Sequence, residues 1–499
     1  MSSEGTTMNK LLIMSCAAAT MFSAWATATL NGNILTFNVE SGEETYSNEL
    51  TASIAGIVKT GAGTIILTAS STGFTSGKPI TISGGAIEIQ NADALGSGNT
   101  VTVANGATFR MMYSSGNGQA NDIVLQGGST LYLGGGGALD DFLGNVTLTG
   151  NATLNLENRR GLSKTLDLGG YTLTRTGANV EFVFSGNGTA GTTAIVKGPG
   201  TICNAATAMI TFMGESTFDA DVVFENTASG AVFNMWNRVT PVPCKLKVTE
   251  NTTFQMGRGF VNGASGTPLA NIWNGDVEIA ASKTLNFQGY SSSYAGDYLT
   301  VGGVISGDGA VSIPPQANGA IFQFNGANTY TGGTTIDRSL LRACTDGAVS
   351  TAGTVTLRGG ELQVSLDEGG YTDSGLNALF AKVAYEWVGG RDSHIVTYTS
   401  AGVEATTAAN FSQLHPSIII NHKGLGKATI TGAVRGDAML LNDEGTGAYG
   451  GNNLRTLWLF WVRGGTMDVV AAICSAPITM AIARIGSVTA MTSSTQRCA

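Results

Sequence analysis

The sequence has few of the residues that most kinds of functional site require. Only 12% of its 499 residues are charged, and only three are histidines. A formal net charge of −9, without a basic patch interleaved with aromatic residues, argues against a nucleic-acid partner. Prolines number only 9, and the 70 glycines show no strict three-residue period, which excludes a collagen-like chain. The hydrophobic residues, 42% of the total, are spread along the chain and argue against disorder.

Cysteine is also scarce. Six cysteines are too few and too scattered for a disulfide framework, and Cys16 lies in the expected leader sequence. The other five are odd in number and lack the spacing of metal ligands: Cys203, Cys244, Cys344, Cys474 and Cys498. A disulfide between Cys203 and Cys244 on nearby coils is one interpretation, and small buried residues without a bond are the other.

The first 28 residues have the pattern of an export signal. Lys10 supplies a positive charge, an apolar stretch follows, and Ala26-Thr27-Ala28 matches a small-x-small cleavage site. An N-terminal membrane anchor is the alternative, but the apolar run is shorter than the ~20 residues that span a bilayer. The sequence therefore predicts a secreted protein, extracellular or on a bacterial cell surface, that begins at Thr29.

Short alternating strands separated by glycine-rich corners recur along the chain. Residues 61–109 and 307–362 are two copies of one such unit, and the second copy carries about ten extra residues around 314–320, which predict a loop leaving the coil. A helical pattern occurs in residues 373–387, and residues 29–50 are expected to cap the first coil. The fold class predicted for residues 29–455 is therefore all-β, a parallel β-helix (solenoid) of roughly 20 coils with loop insertions.

Two sequence runs resemble a known repeat. Residues 328–336 (NTYTGGTTI) and 61–68 (GAGTIILT) resemble the autotransporter-associated β-strand repeat, although Ser339 stands where that repeat has glycine. The resemblance implies a right-handed parallel β-helix of the kind found in passenger domains exported across the bacterial envelope. The chain shows no terminal series of alternating membrane strands, so an outer-membrane translocator is not expected within it.

One local group of acidic and basic residues could serve a polysaccharide-degrading β-helix enzyme: Asp140, Asp141, Glu157, Arg159 and Arg160. Such an enzyme needs paired carboxylates at the scissile bond, or a cation site with a basic residue. A solvated turn is the alternative. Because the sequence does not show that these side chains converge, no catalytic residue is assigned.

The remaining motifs are weak. Residues 186–191 and 445–450 match a dinucleotide-binding glycine pattern, but neither opens a helix as that site requires. The histidines (His394, His415 and His422) lack the spacing of a metal site. Arg435-Gly436-Asp437 is either an adhesion tripeptide or a polar turn. No cofactor or metal is predicted.

The sequence as a whole predicts a secreted or cell-surface structural or adhesive β-helix protein without catalytic activity. The expected partners are surface glycans or cell-surface and matrix proteins. The alternative function is a carbohydrate-active β-helix enzyme, either a polysaccharide lyase or a glycoside hydrolase. Residues 456–499 differ in character from the rest, with two tryptophans and an apolar stretch, and are either a truncated end or a terminal cap.

Overall fold

A computed structural model describes the chain from Ala28 onward, with gaps. The described residues are 28–75, 77–113, 119–135, 141–142, 144–184, 193–236, 240–256, 270–289, 298–316, 320–365, 369–386, 394–398, 417–420, 427–430, 459–462 and 466–469. The expected leader, residues 1–27, lies outside this part of the chain.

The described elements are 43 short strands and one helix. The first half contains β1 (Ala28–Asn31), β2 (Ile34–Asn38), β3 (Glu43–Tyr46), β4 (Gly56–Thr60), β5 (Thr64–Leu67), β6 (Pro79–Ile82), β7 (Ala86–Ile89), β8 (Thr100–Val103), β9 (Thr108–Met111), β10 (Asp122–Leu125), β11 (Thr130–Leu133), β12 (Asp141–Phe142), β13 (Val146–Leu148), β14 (Ala152–Leu156), β15 (Arg160–Leu162), β16 (Thr165–Asp167), β17 (Thr172–Gly177), β18 (Phe182–Phe184), β19 (Ile195–Lys197), β20 (Gly200–Asn204), β21 (Met209–Met213), β22 (Thr217–Phe218), β23 (Val222–Asn226) and β24 (Ala231–Trp236). The second half contains β25 (Lys245–Val248), β26 (Thr252–Met256), β27 (Ala270–Trp273), β28 (Val277–Ile279), β29 (Thr284–Gly289), β30 (Tyr298–Val301), β31 (Ile305–Gly307), β32 (Ala310–Ile313), β33 (Ile321–Phe324), β34 (Thr334–Asp337), β35 (Leu340–Ala343), β36 (Val355–Arg358), β37 (Glu361–Ser365), α1 (Asp373–Phe380), β38 (Val383–Glu386), β39 (His394–Tyr398), β40 (Ser417–Ile420), β41 (Lys427–Ile430), β42 (Leu459–Val462) and β43 (Thr466–Val469).

The strands stack turn upon turn into long parallel sheets. Sheet 1 has the order β1-β2-β4-β6-β8-β10-β13-β16-β19-β22, and sheet 2 has the order β3-β5-β7-β9-β11-β14-β17-β20-β23-β25-β28-β31. Sheet 3 runs β12-β15-β18-β21-β24-β26-β29-β32-β34-β36-β38, and sheet 4 runs β27-β30-β33-β35-β37-β39-β40-β42. A fifth sheet pairs β41 with β43. The predicted fold class, an all-β parallel β-helix, is confirmed.

Sheets 1 and 4 form one face of the solenoid. β22 of sheet 1, Val242, and β27 of sheet 4 lie in three successive turns. Each comes a few residues before a strand of sheet 2, so the three occupy the same position in their turns. Val242 makes a parallel bridge to Trp273 in β27, and the Cys244 thiol donates to the Asp219 carbonyl of the turn before, with Sγ and O 3.4 Å apart. The turns that contain sheet 3 are therefore three-sided.

The number of turns is lower than expected. The sequence predicted roughly 20 coils, whereas the described part of the chain forms about 13 turns. One turn takes 22 residues at Asn99 and Asn121 but 33 residues at Asn251 and Thr284, so insertions at the corners use up chain length. At a strand separation of ~4.8 Å, 13 turns give a rod of roughly 60 Å rather than the 100 Å that 20 coils would give.

Alternation within each strand places one set of side chains inside the rod. In β8 and β11, for example, buried apolar residues alternate with half-buried polar ones. The interior is a single continuous apolar cluster. It includes a stack of Phe184, Phe212 and Phe233, whose neighbouring ring centroids are 6.0 and 6.3 Å apart. Each turn thus buries its apolar residues against the next turn, as expected for a solenoid.

The run 328–336, which carries the repeat resemblance, is a corner leading into β34, and it buries the side chains of Asn328, Tyr330 and Thr334. The fully buried Tyr330 hydroxyl lies 2.6 Å from the Thr334 hydroxyl, and burial raises the pKa of Tyr330 to about 12. Asn328 accepts a hydrogen bond from the Ile305 amide (2.7 Å) and donates to the Ala348 carbonyl (2.5 Å). These residues join three successive turns, which is a structural role.

Three smaller predictions have mixed outcomes. The helical pattern predicted for residues 373–387 is a helix only over Asp373–Phe380, and strand β38 follows it. The first residues of the predicted 314–320 loop stay on the coil, because the Gln316 side chain accepts from the Gly289 amide (2.7 Å) and donates to the Phe287 carbonyl (3.2 Å). At the N-terminal end, β1 pairs antiparallel with β2, which fits the expected cap.

Candidate functional site

Four consecutive strands of sheet 2 present an outward-facing pair of polar side chains. Their outer residues form two columns that run along the rod. The first column is Thr108, Thr130, Thr153 and Thr174, and the second is Arg110, Tyr132, Asn155 and Thr176. All eight side chains are half-buried. We call this surface the two-column face.

Arg110 is held by a neighbour on each side. Its guanidinium lies 3.3 Å from the carboxylate of Glu88, a buried residue on the preceding strand, and 5.0 Å from the centre of the Tyr132 ring on the following strand. Gln90 donates to the same carboxylate, with Nε2 and Oε1 2.9 Å apart. Because Glu88 supplies a countercharge at close range, the positive charge of Arg110 is largely neutralised within the protein.

Tyr132 is fixed from the other direction by Glu157. The tyrosine hydroxyl donates to the Glu157 carboxylate, and burial together with this acidic neighbour raises the pKa of Tyr132. Gly134 lies beneath the pair, because a Cβ there would come within 2.6 Å of a Glu157 carboxylate oxygen. The ring is therefore held in one place by Arg110 and Glu157, on a surface that a glycine keeps open.

The threonines of the first column differ from others in the solenoid. Thr249, at a corner, and Thr252, at the start of β26, use their hydroxyls to bind backbone carbonyls. On the two-column face, by contrast, no hydrogen bond to another described residue is formed by the hydroxyls of the four column threonines, by that of Thr176, or by the Asn155 amide. Their donors and acceptors therefore point to solvent, where a ligand could satisfy them.

Among the residues that the sequence singled out and the structure describes, Arg159, Arg160 and Glu157 each have a different partner. Arg159 pairs with Glu181, and Arg160 is buried and donates to the carbonyls of Tyr113 and Gly134. The exposed Glu157 side chain instead joins the two-column face.

Asp141 begins the two-residue strand β12, and Asp140 lies outside the described residues. A catalytic group made of these residues is therefore not assembled by the part that the structure describes.

Cys203 and Cys244 are not bonded to each other. Neither forms a disulfide; Cys244 is buried, and Cys203 is half-buried on the outer side of sheet 2. The Cys203 sulfur lies 3.6 Å from the Thr227 hydroxyl, and burial raises the pKa of its thiol. A thiol with a raised pKa is a poor nucleophile at neutral pH, so Cys203 is not a candidate catalytic residue.

The other predicted motifs fall mostly outside the described residues. This applies to both glycine patterns (186–191 and 445–450), to His415 and His422, and to the tripeptide Arg435-Gly436-Asp437. His394 is the first residue of β39. Within the ranges that the structure covers, no group of three or more potential metal ligands occurs.

The two-column face was not predicted from the sequence, although the sequence contains a pattern that indicates it. Each strand contributes a triplet of threonine, an inward residue and a polar residue: TFR at 108–110, TLY at 130–132, TLN at 153–155 and TRT at 174–176. The triplets recur at nearly one turn of the solenoid. A search for repeats of outward-facing residues, rather than of apolar ones, would have found the face.

Comparisons with protein families, curated proteins and solved structures found no match to this chain. Among the described residues, none forms a helix with the length and apolar character needed to cross a bilayer.

Proposed function

We propose that the protein is a secreted or cell-surface structural and adhesive β-helix without catalytic activity, in which the rod acts as a spacer and its faces bind. The observation that carries this proposal is the two-column face. Among the described residues, its threonine hydroxyls and the Asn155 amide have no hydrogen-bond partner, whereas Arg110 is paired with Glu88 and Tyr132 with Glu157. A surface of this kind offers many weak hydrogen bonds along a line, which suits attachment better than bond cleavage.

The expected route of export also supports this proposal. The leader-like first 28 residues and the likeness of residues 328–336 to the autotransporter-associated repeat both favour a passenger-like domain outside the bacterial cell. The corner at Tyr330, with its inward side chains and turn-to-turn hydrogen bonds, is compatible with such a repeat.

Attachment and cleavage can be measured on the same protein. The chain beginning at Thr29, coated on beads, is expected to attach to cells or to glycan-bearing surfaces more strongly than uncoated beads do. The soluble protein is expected to release no new reducing or unsaturated ends from a panel of polysaccharides. Release of such ends, at a rate proportional to protein concentration, would overturn the non-catalytic proposal.

A carbohydrate-active enzyme is the second candidate, favoured by one observation. The exposed Glu157 carboxylate accepts a hydrogen bond from the Tyr132 hydroxyl on the two-column face. An exposed carboxylate beside a surface that binds sugars can act as a general acid or base. If ends are released from a polysaccharide, Glu157→Gln should abolish the release, while Glu225→Gln on the same sheet should leave it intact.

A further inference from the structure

We propose that the two-column face binds a neutral linear polysaccharide, whose chain lies parallel to the rod axis with about one sugar per turn. This inference rests on the adhesive function proposed above, and it names the ligand class and the residues that contact it. The face spans β9, β11, β14 and β17, so it would contact about four consecutive sugars.

The first argument is the match in spacing. Adjacent strands of a sheet lie ~4.8 Å apart, so each threonine hydroxyl is displaced from the next by that distance along the rod. This is close to the advance per residue of an extended chain of hexoses. A sugar polymer running along the face can therefore meet an equivalent threonine at each residue, which a globular ligand could not do.

The second argument is charge. The Arg110 guanidinium lies 3.3 Å from the Glu88 carboxylate and 3.9 Å from that of Glu43, and the Glu157 carboxylate adds a further negative charge at the edge of the face. The whole chain carries a formal net charge of −9. An acidic polysaccharide would therefore be repelled, whereas a neutral one would meet hydroxyl and amide groups that both donate and accept.

The third argument is preorganisation. The Tyr132 ring is held by Arg110 and Glu157, and the column threonines are β-branched residues on paired strands. Little side-chain entropy is then lost when a ligand binds. The exposed part of the Tyr132 ring offers an apolar surface for the flat face of one sugar.

The test compares two matched double variants of the full chain. Thr130→Val with Thr153→Val removes two central hydroxyls while keeping the β-branched shape. Thr81→Val with Thr102→Val makes the same change to outward, register-paired threonines on sheet 1. Binding to neutral linear glucans, mannans and xylans, and to alginate as an acidic probe, is measured by affinity electrophoresis and calorimetry.

We expect the wild-type protein to bind at least one neutral polysaccharide and not alginate, with little dependence on salt. The sheet 2 variant should bind about tenfold more weakly, and the sheet 1 variant should bind as the wild type does. Equal weakening in both variants, preference for alginate, or no glycan binding at all would overturn the inference. Circular dichroism and thermal unfolding of both variants check that each is folded.

Three further outcomes separate this inference from the proposed function. If beads coated with either variant attach to cells equally well, the protein is adhesive but the two-column face is not the binding site. If the wild-type protein forms a dimer that the sheet 2 variant cannot form, the face is an interface between copies and the glycan proposal is wrong. If wild-type beads do not attach at all, the adhesive function itself fails.

Discussion

The backbone amide of Asn99 donates to the side-chain oxygen of Asn121, which lies one turn further along the rod, with N and Oδ1 2.9 Å apart. Asn121 in turn donates to the carbonyls of Leu95 and Gly96, at 3.3 and 3.1 Å. Asn99 repeats the arrangement one turn earlier, since its Oδ1 accepts from the Lys78 amide at 3.1 Å. The two asparagines are fully buried and together satisfy corner groups that the sheets leave without partners.

Replacing Asn121 with alanine should lower the free energy of unfolding by about 2–3 kcal/mol, because the buried Asn99 amide and two carbonyls lose their partner. Asn105→Ala is the matched control, since Asn105 is exposed at a neighbouring corner; it should change stability by less than about 0.5 kcal/mol. Urea unfolding followed by circular dichroism measures both. If the two variants lose similar amounts of stability, the hydrogen bonds of the buried Asn121 contribute no more than those of an exposed asparagine.

The fold could be predicted because its signals are local. Alternation in strands such as β8 and glycine-rich corners such as Gly84-Gly85 need no knowledge of distant residues. The number of turns could not be predicted, since the turn from Asn251 to Thr284 takes 33 residues without changing the strand pattern. Turn length is set by loops, and loops carry no periodic signal.

The candidate site could be predicted far less well. Arg159 and Arg160 are adjacent in sequence, yet one pairs with Glu181 and the other donates to the carbonyl of Gly134. The partner of each arginine depends on which residues of the neighbouring turn lie opposite it, and this is set by the register between the strands. The link between Glu88 and Arg110 likewise arises only when β7 and β9 pair. Side-chain partners across turns are therefore not visible in single-sequence patterns.

Arg175 and Arg110 should respond in opposite directions to the same substitution. Arg175 is fully buried and donates to the carbonyls of Ala178 and Val180, but its Nε and Nη1 have no hydrogen-bond partner among the described residues, and burial lowers its pKa to about 10. Arg175→Met removes this poorly compensated charge and should stabilise the protein by about 1–4 kcal/mol. Arg110→Met leaves Glu88 buried without its countercharge and should destabilise it.

Thermal unfolding of the two variants at neutral pH is the measurement. An increase in the unfolding midpoint for Arg175→Met together with a decrease for Arg110→Met is the expected result. Arg175→Lys serves as the control, since it keeps a buried charge and should not stabilise. A decrease for Arg175→Met would mean that its two carbonyl contacts outweigh the cost of burying the guanidinium.

The raised pKa of Glu361 should make the stability of the protein depend on pH. Burial raises the pKa of this carboxyl, despite a hydrogen bond from Gln363 (2.6 Å) and the nearby charge of Arg342. A carboxyl whose pKa is higher in the folded than in the unfolded state binds more protons when the protein is folded. Its stabilising contribution is therefore present at pH values below the unfolded-state pKa and is lost as pH rises. Glu361→Gln cannot ionise, so its stability relative to the wild type should increase from pH 4 to pH 8.

Glu278 provides a control of opposite sign. A hydrogen bond and ion pair with Lys245, whose nitrogen lies 2.6 Å from the carboxylate, lower its pKa. Its stabilising contribution is therefore present above the unfolded pKa and is lost as pH falls. Glu278→Gln should lose stability relative to the wild type as pH rises over the same range, by a smaller amount because the pair is exposed. Two variants with the same trend would contradict the assignment.

Lys247 lies between two carboxylates in an outward row of sheet 2, with Glu225 on the strand before and Glu278 on the strand after. Lys247→Glu would place three like charges on adjacent strands and should destabilise the protein by about 1 kcal/mol at low salt. Lys247→Gln removes only the attraction, so its loss should be smaller. Because the row is exposed, about 1 M salt should remove most of the difference between the two variants. If that difference instead persists in high salt, altered packing rather than repulsion between carboxylates is the cause.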